Sequence, residues 1–592
     1  MFQLLAQRLP LSLPRWARPP RVLASALCAL LLASVAAGAV AQVPAFDQSR
    51  VIVQGTGEVE VFVNGRYIGR SAEGSRLNVQ ARHLQAGENV LALRATTGAA
   101  ATPTLLAELA GRFGRLGTSS RWRVQPVDAT DQALDWAQPG YDDSGWIHAA
   151  ENGDLPPTGF PADGPARQVW SNPPAGGKLR LRAALWLPAA DVRAPQGMAA
   201  EVTGGYGGEV VVVSSREALA HELCRQRSGN TCTDDAPRIV KVQGLIDFTG
   251  SEGTEVRSGC VYRDCPAPYA NERLISNDPN GHCSGRPIID ITIDSAGNRP
   301  LLVGSNKTLV GLGNDAVVRG KGLSIRNGMS NIVVRNLTFE KINQGIIFAG
   351  DAISIDNASR IWIDHNRFNR IGRQMIVTGY GRAEDVTISW NDFDGTNENG
   401  SRCDGRHYWN LMFLGDHDRI TLSNNWLHKF SGRAPKVGDG ANVSLLHLAG
   451  NYFEDGGWHA LDPAAPARVL VEGNVFQDIP NPIMPGAGNV WASRYPPQAS
   501  HQQHCRERLG RDCVGNQVQG SQPDWANFRN DLVVLGDFQA LLPPNRHPQP
   551  EAVEGVSRMV PFLAGPGHLG ADQLVWRNPE VFVNSFEDDA SR

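Results

Sequence analysis

The chain has 592 residues, of which 20% are charged and 41% hydrophobic. That length exceeds one ordinary domain, and that balance excludes a disordered polymer. The formal charge of −4 makes the molecule as a whole a poor match for a polyanion such as nucleic acid; a polyanionic partner would need masked charges or a local positive cleft.

Arg8, Arg15, Arg18 and Arg21 precede an apolar stretch from Val22 that ends in Ala39-Val-Ala41. A charged start, an apolar run and a small-residue cleavage site read as a secretory signal peptide over residues 1–41. A membrane anchor is the competing reading. Against it, Cys28 follows Leu27, where a lipoprotein signal wants a small residue, and no later apolar run is long enough to span a bilayer. Cleavage would take the formal charge from −4 to −8, because the segment holds four arginines and no acid. A secreted protein, extracellular or periplasmic, is expected, with no membrane contact after cleavage.

Eight of the nine cysteines lie beyond that segment, an even number suited to an oxidising compartment. Cys224/Cys232 and Cys505/Cys513 each enclose seven residues and read as local staples. Cys260, Cys265, Cys283 and Cys403 can pair in three ways. A zinc site is disfavoured because no Cys-x-x-Cys is present.

The first module is expected over residues 43–190. Val59-Glu-Val-Phe-Val63, Asn64-Gly65 and Arg66-Tyr-Ile68 read as a hairpin, since Asn-Gly takes the positive φ angles of a tight turn. Leu77–Val79 and Asn89–Arg94 are further strands with Gly87 between them. Trp122, Trp136, Trp146, Trp170 and Trp186 punctuate the remainder, and Leu179-Arg-Leu-Arg182 alternates. This is a β-sandwich pattern, and it resembles the galactose-binding-like jelly rolls often joined to carbohydrate enzymes. Its tryptophans serve either glycan binding or a core. No cysteine after residue 41 lies before Ala200, so no disulfide can tie the module to the remainder of the chain, and it is expected to be separable.

The second module, over residues 200–569, has another rhythm. Short strands recur, each followed by Asn and an aromatic or apolar residue: Asn336, Asn366, Asn391, Asn425, Asn451 and Asn474 are 30, 25, 34, 26 and 23 residues apart. Such a period is one coil of a stacked solenoid. The prediction is an all-β protein in which a parallel β-helix follows the sandwich. Each Asn bonds its counterpart on the next coil. Pro543–Glu554 is Pro-rich and polar, and the tail at residues 570–592 has no functional reading.

Four segments carry the chemistry: Ala349-Gly-Asp-Ala-Ile353, Trp362-Ile-Asp-His365, Ile371-Gly-Arg-Gln374 and Ser431-Gly-Arg-Ala-Pro-Lys-Val437. The last sets Arg433 and Lys436 in a Gly/Pro frame with no acid inside the motif. In this order the segments resemble the pectin lyases of the first polysaccharide lyase family, from about Gly204 to about Leu569. Asp247–Thr254, Gly320-Lys-Gly-Leu323, Cys403–Trp409 and Gly510–Cys513 add to the resemblance. It implies a right-handed β-helix, disulfides Cys260–Cys283 and Cys265–Cys403, and a monomeric enzyme without a cofactor.

The implied reaction is β-elimination on methyl-esterified galacturonan. A neutral ester acidifies the neighbouring C5–H more than an ionised carboxylate does. The resemblance places Arg433 as the base. A guanidine must first lose a proton, so cations that favour its neutral form have to stand near; Lys436 and Arg373 are the candidates. Arg373 also suits stabilisation of the developing oxyanion, and Asp351 would orient one of these cations. A surface salt-bridge network is the bland reading of the same four residues. Calcium-dependent pectate lyases hold their metal on this face with several acids. Here Ala349, Arg373 and Val377 stand at those positions and only Asp351 is acidic, so no catalytic metal is expected.

Substrate contacts are expected from Trp409, Phe348, Tyr408 and Arg406, with a packing role for His407 and its neighbours as the alternative. The loop between Cys260 and Cys283 has Tyr262 and Tyr269 but no Trp, which points to a lower preferred esterification. Trp362–His365 is expected to be structural. The competing functions are a calcium-dependent pectate lyase, a hydrolase, for which the Asp351/Arg433 face lacks a second acid, and a non-catalytic pectin-binding protein, which would have no reason to keep Arg433 and Lys436.

Overall fold

The computed structural model describes residues 49–96, 103–152, 165–171, 177–189, 191–192, 194–276, 281–541 and 546–569. The expected signal peptide and the tail at 570–592 lie outside them. Two antiparallel sheets are built between Arg50 and Leu187. The hairpin pairs Val59–Val63 with Arg66–Ser71, with φ +49° at Asn64 and +74° at Gly65 as the Asn-Gly turn requires. Arg76–Gln80 and Gly87–Thr96 belong to different sheets, so the turn near Gly87 carries the chain across the sandwich. Trp122, Trp136, Trp146 and Trp170 are all buried. They fill the module and offer no aromatic platform to a ligand.

Beyond Glu209 three parallel sheets of ten, nine and eight strands share one coil path. The first runs from Glu209–Val213 to Asn489–Ala492, the second from Leu245–Asp247 to Gln517–Gln519, and the third from Leu301–Leu302 to Asn481–Ile483. Their inward rows form one continuous core that includes Leu309, Phe339, Ile355, Phe393 and Leu427. Phe339, Phe368 and Phe393 stack at centroid distances of 5.5 and 5.1 Å on successive coils. The asparagines form a ladder at one corner. The backbone N–H groups of Asn366, Asn391, Asn425 and Asn451 donate to the side-chain oxygen of the next Asn at 2.9–3.0 Å. Asn474 continues it to Asn516 at 3.1 Å, across an insertion that holds helix Ala499–Leu509. Buried amides satisfied coil to coil explain why the period is so regular.

The sandwich and the β-helix share a core. Val51, Leu93, Phe113 and Leu181 of the sandwich cluster with Trp390, Tyr452 and Val475 of the β-helix. Val556, Met559 and Val560, from helix Val553–Leu563, complete the cluster. Gly555 lets that helix approach Trp186 so closely that a Cβ would fall 2.3 Å from the indole ring. The described residues, 49 to 569, accordingly cluster as one unit. No disulfide joins the two parts, yet the expectation of a separable first module meets an apolar interface that separation would expose.

Candidate active site

Alternation fixes the outward face of the third sheet. Leu323, Ile353, Ile376, Leu411 and Val437 point into the core. Their neighbours Ser324, Ser354, Val377, Met412, Lys436 and Asp462 align in register across successive coils on the other face. The turns that lead into these strands carry Asp351, Arg373, Trp409 and Arg433. Residues far apart in sequence thus meet along one edge of the sheet, a strand spacing apart (about 4.8 Å).

Arg433 has φ +45° and precedes a cis Ala434–Pro435 bond. Its backbone N–H donates to His459 Nε2 at 3.2 Å, and its carbonyl accepts from Leu411 at 2.7 Å. The guanidinium lies 4.6 Å from the Trp409 ring centroid and 5.7 Å from that of Tyr408. Its Nη1 donates to Met412 Sδ at 2.9 Å, and buried Nε has no partner. Among the described residues no carboxylate pairs with Arg433. Burial, with the nearby guanidinium groups of Arg433 and Arg402, pushes the His459 imidazole down to about 4. The ring that accepts the Arg433 N–H is therefore neutral near neutral pH.

Arg373 Nε stands 3.5 Å from Asp351 Oδ1, which also accepts the Gln374 N–H at 2.8 Å. Burial raises the Asp351 carboxyl above its ordinary value, and the Arg373 charge opposes that rise. Arg373 also lies over the Phe348 ring at 5.0 Å. Phe348, at φ +68°, is 40% exposed. His407 holds the Arg373 turn: its Nε2–H donates to the Arg373 carbonyl at 2.7 Å, while Nδ1 accepts from Asn397 at 2.9 Å. Burial lowers this imidazole to about 4.

Other residues singled out by the sequence have partners of their own. Lys436 is not free of acids, because Asp439, just outside the motif, pairs with it at 2.5 Å. Arg406 is tied to the Asp455 carboxylate and, at 3.1 Å, to the Asp455 carbonyl, within the loop framework. Asp364 and His365 sit fully buried with Arg335 and Ser389, each bonded to Asp364. That is a packing network.

Sequence patterns alone do not single out Glu272, Met412, His459 or Trp458. Trp458 stacks on Tyr408 at 6.2 Å. Glu272 is fully buried and accepts the Trp409 indole N–H at 2.9 Å and the Ser401 hydroxyl. Only the alternation Leu411-Met-Phe413 holds a signal for Met412. The four disulfides are Cys224–Cys232, Cys260–Cys283, Cys265–Cys403 and Cys505–Cys513. Cys265–Cys403 ties the loop before Glu272 to the loop before Trp409.

The chain is similar to known proteins. A family model described as pectate lyase matches residues 282–485. Probable pectin lyase E of Aspergillus fumigatus is 37% identical over 352 residues, 58% of this chain and 87% of that relative. Probable pectin lyase A of Aspergillus oryzae is 34% identical over 381 residues, 64% of this chain and 94% of that relative. Among solved structures, the pectate lyase of Acidovorax avenae subsp. citrulli aligns at 17% identity and a TM-score of 0.40, covering 64% of this chain and 96% of its own. A Bacillus sp. N165 pectate lyase in complex with trigalacturonate aligns at 20% identity and a TM-score of 0.39, covering 63% and 99%. With most of each of these Aspergillus relatives covered at more than a third of positions identical, the chain belongs to the pectin lyase family and is a polysaccharide lyase.

Proposed function

We propose that this enzyme is a secreted pectin lyase that cleaves α-1,4-linked methyl-esterified galacturonan by β-elimination without calcium. Arg433 takes the C5 proton. The freed electron pair enters the ester as an enolate and then forms the C4–C5 double bond as the C4–O bond breaks. The departing oxygen takes a proton from solvent. Arg373, oriented by Asp351, faces the developing ester oxyanion, and Trp409, Tyr408 and Phe348 receive sugar faces and methyl esters.

One observation carries this reading: an arginine, Arg373, stands against the lone acid Asp351 on the turn row, while Arg433 is surrounded by rings, a thioether and a neutral imidazole. Among the described residues no carboxylate pairs with Arg433, so no acid competes with substrate for its guanidinium. Calcium needs several oxygen ligands, and of Ala349, Asp351, Arg373 and Val377 only Asp351 is an acid, with the Arg373 guanidinium beside it. Four disulfides support an oxidising compartment.

The test is ultraviolet absorbance of the unsaturated product from highly esterified pectin and from polygalacturonate, each with and without EDTA. Strong activity on the ester that survives the chelator is expected. Calcium-dependent preference for polygalacturonate would make the enzyme a pectate lyase, and absence of unsaturated product from both would leave a binding protein.

A further inference from the structure

The turn row that carries Asp351 does not end there. Leu301, Leu323 and Ile353 are in register on successive coils of the third sheet. Two residues before each stand Arg299, Lys321 and Asp351, so Arg299 and Lys321 extend the row away from Arg433. The spacing puts Arg299 two strands, about 10 Å, from Asp351. At this end the surface opens into a cleft of about 590 Å³. Arg227, Arg299, Lys321 and Arg326 line it, against one carboxylate, Glu252. Leu302, on the outward row of the sheet, supplies an apolar strip.

Two of the four, Arg227 and Arg326, have no carboxylate partner among the described residues. Glu252 is bonded to Lys321. Arg299 is 58% exposed and makes two long ion pairs, 3.8 Å to Glu252 and 3.9 Å to Glu255. Arg326 bonds the Asn230 carbonyl at 3.2 Å, while its buried Nε has no partner. Arg227 bonds the carbonyls of Cys224 and Ala220. Elsewhere on the β-helix, Arg319, Arg367 and Arg419 each pair with two carboxylates at shorter range, 2.6–3.6 Å. A protein of net charge −4 that lines one cleft with four cations and one carboxylate, continuous with its reaction row, is built to take an anion there.

We infer that this cleft is a distal subsite for the free carboxylate of a non-esterified galacturonate on the same polymer whose methyl ester is cleaved at Arg433. The inference rests on the proposed pectin lyase reading. A hexose unit advances by a distance of the order of one strand spacing, so a chain lying along the row reaches the cleft within a few sugars. A methyl ester gains nothing from Arg299 and Arg326, whereas a carboxylate gains charge-assisted hydrogen bonds. The enzyme therefore prefers partially de-esterified pectin to the fully esterified polymer, and added salt weakens that preference.

The test compares full-length wild type with an Arg299→Gln/Arg326→Gln double variant and with Arg299→Gln alone, which changes an exposed side chain. The ratio of kcat/KM on partially de-esterified pectin to that on fully esterified pectin should fall about ten-fold in the double variant, through KM, the size expected for lost charge-assisted contacts. The single variant should fall by less, in the same direction. Equal ratios in wild type and variants would overturn the subsite. Calorimetric titration with unesterified trigalacturonate separates this outcome from failure of the lyase reading. Weaker binding by the variants supports the subsite whichever pectin is cut, and equal binding overturns it.

Discussion

The Glu272 carboxyl and the Trp409 indole N–H meet at 2.9 Å beneath the guanidinium of Arg433, which lies 4.6 Å from the same indole. One buried acid therefore fixes the ring that carries the proposed base. Ser401 holds the second carboxyl oxygen, and the Arg263 charge acts on the same carboxyl.

Burial raises the Glu272 carboxyl to about 7, against the pull of Ser401, Trp409 and Arg263. Between about 4.5 and about 7 the folded protein then binds a proton that the unfolded chain has released, so this group's contribution to stability falls as pH rises through that window. Asp418, also raised to about 7, acts in the same sense. His407, His459 and His568, lowered to about 4, act in the opposite sense as pH rises from about 4 to 6.5. The net slope is thus a poor probe, and the difference between proteins is a good one. Glu272→Gln keeps an acceptor for Trp409 and removes the titration. Denaturant melts at several pH values should show the variant gaining on wild type as pH rises from about 4.5 to 7. A constant difference would mean that Glu272 does not titrate there.

Loss of the proposed base should be severe. Arg433→Ala and Arg433→Lys are expected to lower kcat by about 10²–10⁴-fold, with far-ultraviolet circular dichroism unchanged, since the guanidinium makes no ion pair that the fold needs. KM should move much less, because Trp409, Tyr408 and Phe348 remain. A folded variant with near wild-type turnover would remove Arg433 from the mechanism.

Arg373→Glu tests the cation against the metal. The substitution puts a second acid beside Asp351, across the 3.5 Å contact now made by Arg373. Turnover on esterified pectin should drop by about 10²-fold or more, the scale for losing one oxyanion donor. Calcium should restore little, because Ala349 and Val377 supply no oxygen ligand. Unchanged kinetics would place Arg373 outside the site, and recovery with calcium on polygalacturonate would show that the acid alone converts the substrate.

Much of the fold is legible in the sequence because coils repeat. The asparagine period is visible because the amides from Asn366 to Asn474 bond coil to coil; Asn336 departs from it, its side chain bonding the Gly311 and Gly313 carbonyls while Leu337 N–H meets Asn366, and at Asn516 the separation jumps to 42 residues. Arg433 is visible through its Gly/Pro frame. Its partners are not: Met412 and His459 reach it from neighbouring coils 21 and 26 residues away, and only strand register shows which residues align. Glu272 sits in an insertion with no period at all. Lys436 reads as unopposed within its motif because Asp439 lies beyond it. The tryptophans of the first module do not reveal by their spacing that they point inward.

The shared core yields the last prediction. A chain beginning at Ala199 would bare Trp390, Tyr452 and Val475, together with the face of helix Val553–Leu563 that carries Val556, Met559 and Val560. Each buried side chain of this size contributes about 1.5–3 kcal/mol, so exposing six rivals the whole stability of a typical domain, about 5–15 kcal/mol. The truncated protein should melt well below the full chain and aggregate. The interface lies on the second-sheet side, at Tyr452–Glu454 and Val475–Gln477, whereas the reaction row borders the third. Turnover per folded molecule on soluble pectin should therefore be nearly preserved at low temperature. Val556→Asp in the full chain should reproduce the thermal defect without removing the sandwich. A truncated protein that is monomeric by size-exclusion chromatography and melts with the full chain would show the interface to be dispensable. A stable truncated protein with lost turnover would instead show that the sandwich shapes the cleft.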